Sequence, residues 1–130
     1  LGVQFLTRLS PGLPPVRVQE IQIQQVLLNL ASNALEAMAD AGAAAPCLII
    51  GTGLGHADEV EVWVSDTGPG VSADLRTEVF QQFVTTKPQG MGLGLSISKG
   101  IIDAHGGWIE LAETGSMGSR FRFILPIQGG

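Results

Sequence analysis

QEIQIQQVLLNLASNALEAMAD, residues Gln19 to Asp40, is the stretch on which the fold turns. Leu27, Leu30, Ala31, Ala34, Leu35 and Met38 recur at the three- and four-residue spacing of one helical face. Gly42 ends the run. The spacing predicts a helix over 19–40 with that face on a core. A second stripe, Gln22, Gln25, Asn29, Asn33, Glu36 and Asp40, is expected opposite the leucines. Solvated helix faces favour Lys, Glu and Arg, whereas this one carries four side-chain amides and no base. Asn is a poor helix former, so two of them one turn apart point to a role. Amide oxygens are hard, neutral ligands suited to Mg²⁺, and amide NH₂ groups can donate to phosphate.

The flanking chain reads as an alternation of strands and helices. Residues 1–9 read as a strand, broken by the turn Ser10-Pro11-Gly12-Leu13-Pro14-Pro15, and a short strand follows at Val16–Val18. Residues 47–52 and 59–65 read as strands joined by a turn at 53–58. In the second, Val60, Val62 and Val64 alternate with Glu59, Glu61 and Trp63, giving one core face and one open face. Ser72 is a plausible N-cap for a helix over 73–83. A polar, glycine-bearing loop over 85–92 leads into a helix over 93–105 that stops at Gly106-Gly107. Strands over 108–113 and 120–126 close the chain as a hairpin. Six strands and three helices make an α+β two-layer sandwich, a mixed sheet with the helices on one face.

Composition bounds the function. The 130 residues are expected to form a single domain. At 45% hydrophobic and 15% charged they are not a disordered chain. Cys47 is the one cysteine, which excludes a disulfide framework or a four-cysteine zinc site. No apolar run approaches a membrane span, and no secretory leader opens the chain. The net charge is −5, with Lys87 and Lys99 as the two lysines, so a nucleic-acid partner is not expected. The first residue is Leu1, which suggests a fragment of a longer protein.

The 18 glycines cluster, and clustered glycine brings backbone close to a ligand. Asp66-Thr67-Gly68-Pro69-Gly70 sets a carboxylate at a strand end beside exposed backbone. It could accept a hydrogen bond from an amino group, or simply form a turn. Gly90-Met91-Gly92-Leu93-Gly94-Leu95 opens a helix, where unpaired N–H groups and the helix dipole favour an anion. It fits neither the dinucleotide fingerprint, which needs a third glycine where Leu95 stands, nor a Walker loop. Thr85-Thr86-Lys87 precedes it with hydroxyls and a cation. The remaining chemistry-bearing residues read as structural. Cys47 is expected in the core, Trp63 and Trp108 on strand faces, Lys99 on a helix surface, His105 at a helix C-terminus and His56 in a turn.

Five segments together resemble one family. The run Gln25 to Ala37 resembles the N box of sensor histidine kinases, and Asp66 to Gly70 their G1 box. Val79 to Lys87 resembles the F box, Gly90 to Ile97 the G2 box, and Gly118 to Pro126 the closing strand. Order and spacing match over nearly the whole chain. The family is the ATP-binding catalytic domain of two-component sensor kinases, within the GHKL superfamily and its Bergerat-type fold. The nearest likeness is to the nitrogen-regulation and oxygen-sensing subgroup.

The resemblance implies ATP and Mg²⁺ as ligands. By it, Asn33 would hold Mg²⁺ and Asn29 would lie against the phosphates, with Glu36 nearby. Asp66 would read the adenine amino group, helped by a water that Ser119 holds. Gly68 and Gly70 would admit the base. Thr86, Lys87, Gly90, Gly92, Leu93, Gly94 and Leu95 would form the lid hinge and phosphate cradle. Asn33 and Lys87 would serve catalysis. The acceptor histidine would lie on a dimerisation domain outside this chain, and the whole protein would serve a response-regulator receiver domain. The domain would be cytoplasmic and would not insert into a membrane. Two rival readings are a GHKL ATPase and a binding-only module. The ATPases carry a glutamate where Asn29 stands, and an amide cannot take the proton from water.

Overall fold

A computed structural model of the chain describes residues 2–41, 46–56, 58–68, 92–115 and 118–127. The elements are β1 (Gln4–Arg8), α1 (Glu20–Ala41), β2 (Cys47–Leu54), β3 (Glu59–Asp66), α2 (Gly92–Ala104), β4 (Trp108–Gly115) and β5 (Gly118–Pro126). The five strands form one mixed sheet in the order β1-β2-β3-β5-β4. β1 runs parallel to β2, and every other pairing is antiparallel. This is the expected α+β sandwich. The expected helix over 73–83 with its Ser72 cap, and the F-box segment 79–87, lie outside the described residues.

Alternation builds the inner face of the sheet. Val60 and Val64 of β3, Phe121, Phe123 and Leu125 of β5, and Ile109 and Leu111 of β4 are all buried. The register sets Val64 against Phe121, Val62 against Phe123, and Phe121 against Leu111. Val26, Leu30, Ala34 and Met38 of α1 cover this face at strict four-residue spacing, and Leu95, Ser98 and Ile102 of α2 join them. Burying a side chain the size of Leu30 or Met38 contributes about 1.5–3 kcal/mol.

Two expectations are corrected here. The buried line of α1 is rotated from the predicted one. Of the predicted face, Leu35 is 37% exposed, while Val26, outside it, is fully buried. The amide stripe therefore flanks the core line instead of opposing it, because four-residue spacing selects Val26-Leu30-Ala34-Met38 as the ridge that meets the sheet. The segment Val16–Val18 is not a strand. Pro14 and Pro15 supply no N–H for a ladder, and the two valines instead pack side chains against the core.

α2 ends where the sequence predicts, and the reason is geometric. Gly106 has φ +79°, its N–H donates to the Asp103 carbonyl, and the Gly107 N–H donates to the Ile102 carbonyl. This is a Schellman cap with glycine in the left-handed position. Gly107 then lies flush against β5, where a Cβ would collide with the Ile124 carbonyl.

The outer face of the sheet carries polar and aromatic side chains. Trp63 lies across Gly51, Arg120 stacks 4.2 Å over the Trp63 ring, and Arg122 stacks over Trp108. Arg122 also pairs with Glu61 at 2.7 Å and Glu110 at 2.6 Å. The Glu61 hydrogen bond first, and then Glu110, hold its guanidinium above the ordinary arginine range. Lys99 pairs with Asp103 on the surface of α2, and His56 is exposed, as the sequence implies. Cys47 is half-buried, not in the core.

Candidate functional site

The register between the two helices assembles the site. The Gln19 N–H, at the N-cap of α1, donates to His105 Nε2 at 3.0 Å just beyond the C-terminus of α2. Ten residues along α1, Asn29 Nδ2 donates to Ser98 Oγ at 3.1 Å. The helices therefore run antiparallel. Advancing one turn on α1 and retreating one turn on α2 brings Asn33 level with Gly94, in the first turn of α2. The first four N–H groups of that turn have no partner within the helix. Asn29, Asn33 and Glu36 are all half-buried there, whereas Gln22 and Gln25 are exposed. The stripe thus divides into a half-buried part and a solvated part.

Asp66 closes the other end. It is the next inner-face position after Val64, so an otherwise apolar face ends in a carboxylate. Its Oδ1 accepts a hydrogen bond from the Gly68 N–H at 2.8 Å. Gly68 is buried, and a Cβ there would sit 3.1 Å from Asp66 Oδ1 and 3.4 Å from Met38 Cγ. The turn is therefore pressed between the carboxylate and α1. Thr67 Oγ1 pins the turn to β2 by accepting from the Cys47 N–H at 3.0 Å, and it reaches Met38 Sδ at 3.5 Å. Met38 lies five residues past Asn33, about 7.5 Å along the helix. Ser119 is 7% exposed and faces Asp66 in the β3–β5 register.

The glycine-rich opening of α2 begins at Gly92, and Leu95 is 5% exposed and part of the core. Leu95 can therefore meet a ligand only through its backbone. Gly92, Leu93 and Gly94 lie in the first helical turn, which starts one residue earlier than the sequence predicts. Gly70, Thr86, Lys87 and Gly90 lie outside the described residues.

The donor set can be tested against the implied metal. Among the described residues no group of three His, Cys, Asp or Glu side chains could hold an ion. Mg²⁺ does not need such a cage, because it keeps waters and shares substrate phosphates with one or two protein oxygens. A single amide at Asn33, with the Glu36 carboxylate one turn on, fits that mode.

Sequence reasoning missed three residues. Ser98 is a fully buried hydroxyl on the apolar stripe of α2, and a polar residue at a core position was the available signal. Gly118, at φ +131°, lets β5 close onto Asp66, since a Cβ there would collide with the Asp66 carbonyl oxygen. His105 uses both ring nitrogens, donating from Nδ1 to the Ile101 carbonyl at 2.8 Å while Nε2 accepts from Gln19. Nothing local in the sequence encodes that second contact.

Residues 18–129 match the family model described as histidine kinase-, DNA gyrase B-, and HSP90-like ATPase. The sensor protein FixL of Bradyrhizobium diazoefficiens is 48% identical over 125 residues, covering 96% of this chain and 24% of its own length. The chain thus spans about a quarter of that relative. Full-length ShkA, solved in complex with AMPPNP, superposes with a TM-score of 0.83 at 32% identity over 96% of this chain and 26% of its own. The catalytic domain of histidine kinase ThkA gives 0.77 at 35% identity, over 96% of this chain and 79% of its own. ThkA solved with the response regulator TrrA gives 0.78 at 31% identity, over 97% and 34%. With its fold, its helix-flanked strand end and these relatives in agreement, the chain belongs to the histidine kinase-, gyrase B- and HSP90-like ATPase family, as a homologue of the ATP-binding catalytic domains of sensor histidine kinases.

Proposed function

We propose that this domain holds Mg·ATP between α1, the first turn of α2 and the end of β3, and presents the γ-phosphoryl group to a histidine on a separate dimerisation domain. The observation that carries the reading is the antiparallel pairing of α1 and α2. It sets Asn33 level with the first turn of α2 and Asn29 one turn behind, level with Ser98, while the turn that follows the Asp66 carboxylate packs on Met38 of the same helix. In this reading Asp66 accepts from the adenine amino group, and Gly68 admits the base against Met38. Ser119 holds a water beside Asp66. Asn29 donates to phosphate, and Asn33, with Glu36, faces the metal. Mg²⁺ supplies charge neutralisation between the phosphates. Lys87 and Thr86 bring a cation and a hydroxyl from the lid, and Gly70 and Gly90 flank the base and the phosphates.

The transfer itself is a matter of positioning and charge stabilisation. The acceptor imidazole nitrogen forms a bond to the γ-phosphorus, the bridging P–O bond breaks, and ADP leaves. The imidazole proton passes to a base beside the acceptor. The phosphoryl group then moves to a receiver domain, as the existence of a ThkA–TrrA complex suggests for this chain's parent. The ATPase alternative is disfavoured because Asn29 stands where a general base is needed and an amide cannot take the proton from water. Self-phosphorylation is disfavoured because both His105 ring nitrogens are engaged and His56 lies in the turn between β2 and β3, at the opposite end of β3 from Asp66. No described helix is long and apolar enough to cross a membrane.

The test is incubation with γ-labelled ATP, with and without the upstream dimerisation domain of the same protein. Acid-labile label should appear on that domain and not on this chain. Label on this chain alone would refute the division of labour.

A further inference from the structure

Ser98 is the one fully buried polar residue among the described core positions of α2. It lies between Leu95 and Ile102 on a stripe where Ala or Val would pack without desolvating a hydroxyl. Its Oγ instead accepts a hydrogen bond from Asn29 Nδ2 at 3.1 Å, across 69 positions of sequence. We propose that Ser98 is a positioning residue for phosphate binding, holding the Asn29 amide at a fixed orientation against the helix whose first turn cradles the phosphates. This rests on the phosphate-facing reading of Asn29 given above.

The argument is one of geometry and of composition. The amide is planar, so anchoring Nδ2 on Ser98 fixes which edge Asn29 turns toward the groove. That last torsion is a broad two-fold well, so each contact that holds the amide narrows it. Ser98 is six residues past Gly92, about 9 Å along the axis, so it lies behind the first turn and cannot itself reach a ligand seated on the N-terminal N–H groups. Its influence must pass through Asn29. A buried hydroxyl retained at an interhelical contact otherwise brings only cost, and packing alone would favour an apolar residue.

The experiment is a double-mutant cycle on the 130-residue chain with Ser98→Ala, Asn29→Ala and the pair, plus Ser98→Thr. ATP affinity is measured by calorimetry in excess Mg²⁺, and adenosine affinity by NMR titration. Ser98→Ala should weaken ATP roughly 3- to 10-fold, leave adenosine within about twofold, and have no further effect once Asn29 is Ala. Ser98→Thr, which keeps the hydroxyl, should retain most of the ATP affinity. Equal losses for ATP and adenosine, or full additivity in the cycle, would overturn the proposal and leave Ser98 a packing residue. Unchanged ATP affinity in Asn29→Ala would remove the role that Ser98 is said to support, even if the parent binds ATP. A parent chain that binds no ATP would instead refute the functional reading itself.

Discussion

Gly118→Ala perturbs the site without touching any group that meets a ligand. At φ +131° a Cβ would collide with the Asp66 carbonyl oxygen and lie 2.8 Å from the Asp66 carbonyl carbon and 3.0 Å from Thr67 Cα. Ordinary carbon contacts begin at about 3.5 Å and the carbonyl oxygen lies nearer still than the carbons, so the strand end must retreat by more than about 1 Å. The obstruction is backbone, which cannot rotate aside. Placing an L-residue at positive φ costs about 1–2 kcal/mol, and loosening one ladder hydrogen bond costs about 1 kcal/mol more. A loss of about 2–3 kcal/mol lowers Tm by roughly 6–15 °C in a domain of this size. Retreat of β5 also moves Asp66 and Ser119 apart, so ATP affinity should fall about 10-fold or more, as when a hydrogen bond to a charged group is lost. Gly12→Ala is the control. Gly12 also has positive φ, at +72°, but nothing lies within 4 Å of its Cβ position. It should cost about 1 kcal/mol and leave ATP binding unchanged. Thermal melts and calorimetric titration read both effects. Full ATP affinity in a folded Gly118→Ala variant would refute the claim that this close approach sets the Asp66 geometry.

Three further outcomes follow from the same structure. Gly100→Ala, in the interior of α2 with nothing within 4 Å of its Cβ position, should stabilise the chain by about 0.5–1 kcal/mol in urea denaturation, and a destabilised variant would contradict the helix assignment there. Asp66→Asn should weaken ATP about 10- to 100-fold and abolish the preference over GTP, and an unaltered preference would remove Asp66 from base recognition. Asn33→Ala should lose the Mg²⁺-dependent part of ATP affinity and keep adenosine binding, and a variant that gains as much from Mg²⁺ as the parent would defeat the metal assignment.

The strands and helices were legible because their periodicities are clean. β3 alternates strictly, and α1 repeats every three or four residues over six turns. The rotation of α1 was not legible, because Leu28 and Leu35 are as apolar as Val26, and only the sheet decides which ridge it accepts. The short strand at Val16–Val18 failed because a run of valines signals burial, not pairing, and the prolines before it withhold donors. At the site, Asp66 and the asparagines stood out as residue types out of keeping with their surroundings. Ser98 and Gly118 did not, since a serine in a helix and a glycine at the start of a strand are locally unremarked. What sets them apart is contact with Asn29 and Asp66, far away in sequence, which no local pattern encodes.

The central claim is that nucleotide enters on the helix side of the sheet, between α1, α2 and the end of β3. Amide chemical-shift mapping of the ¹⁵N-labelled chain on titration with Mg·ATP tests it most directly. Shifts should concentrate at Asn29, Asn33, Asp66, Gly68, Gly94 and Leu95, with Glu61, Glu110 and Arg122 on the outer face unmoved. Shifts centred on the outer face, or none at saturating Mg·ATP, would contradict the account.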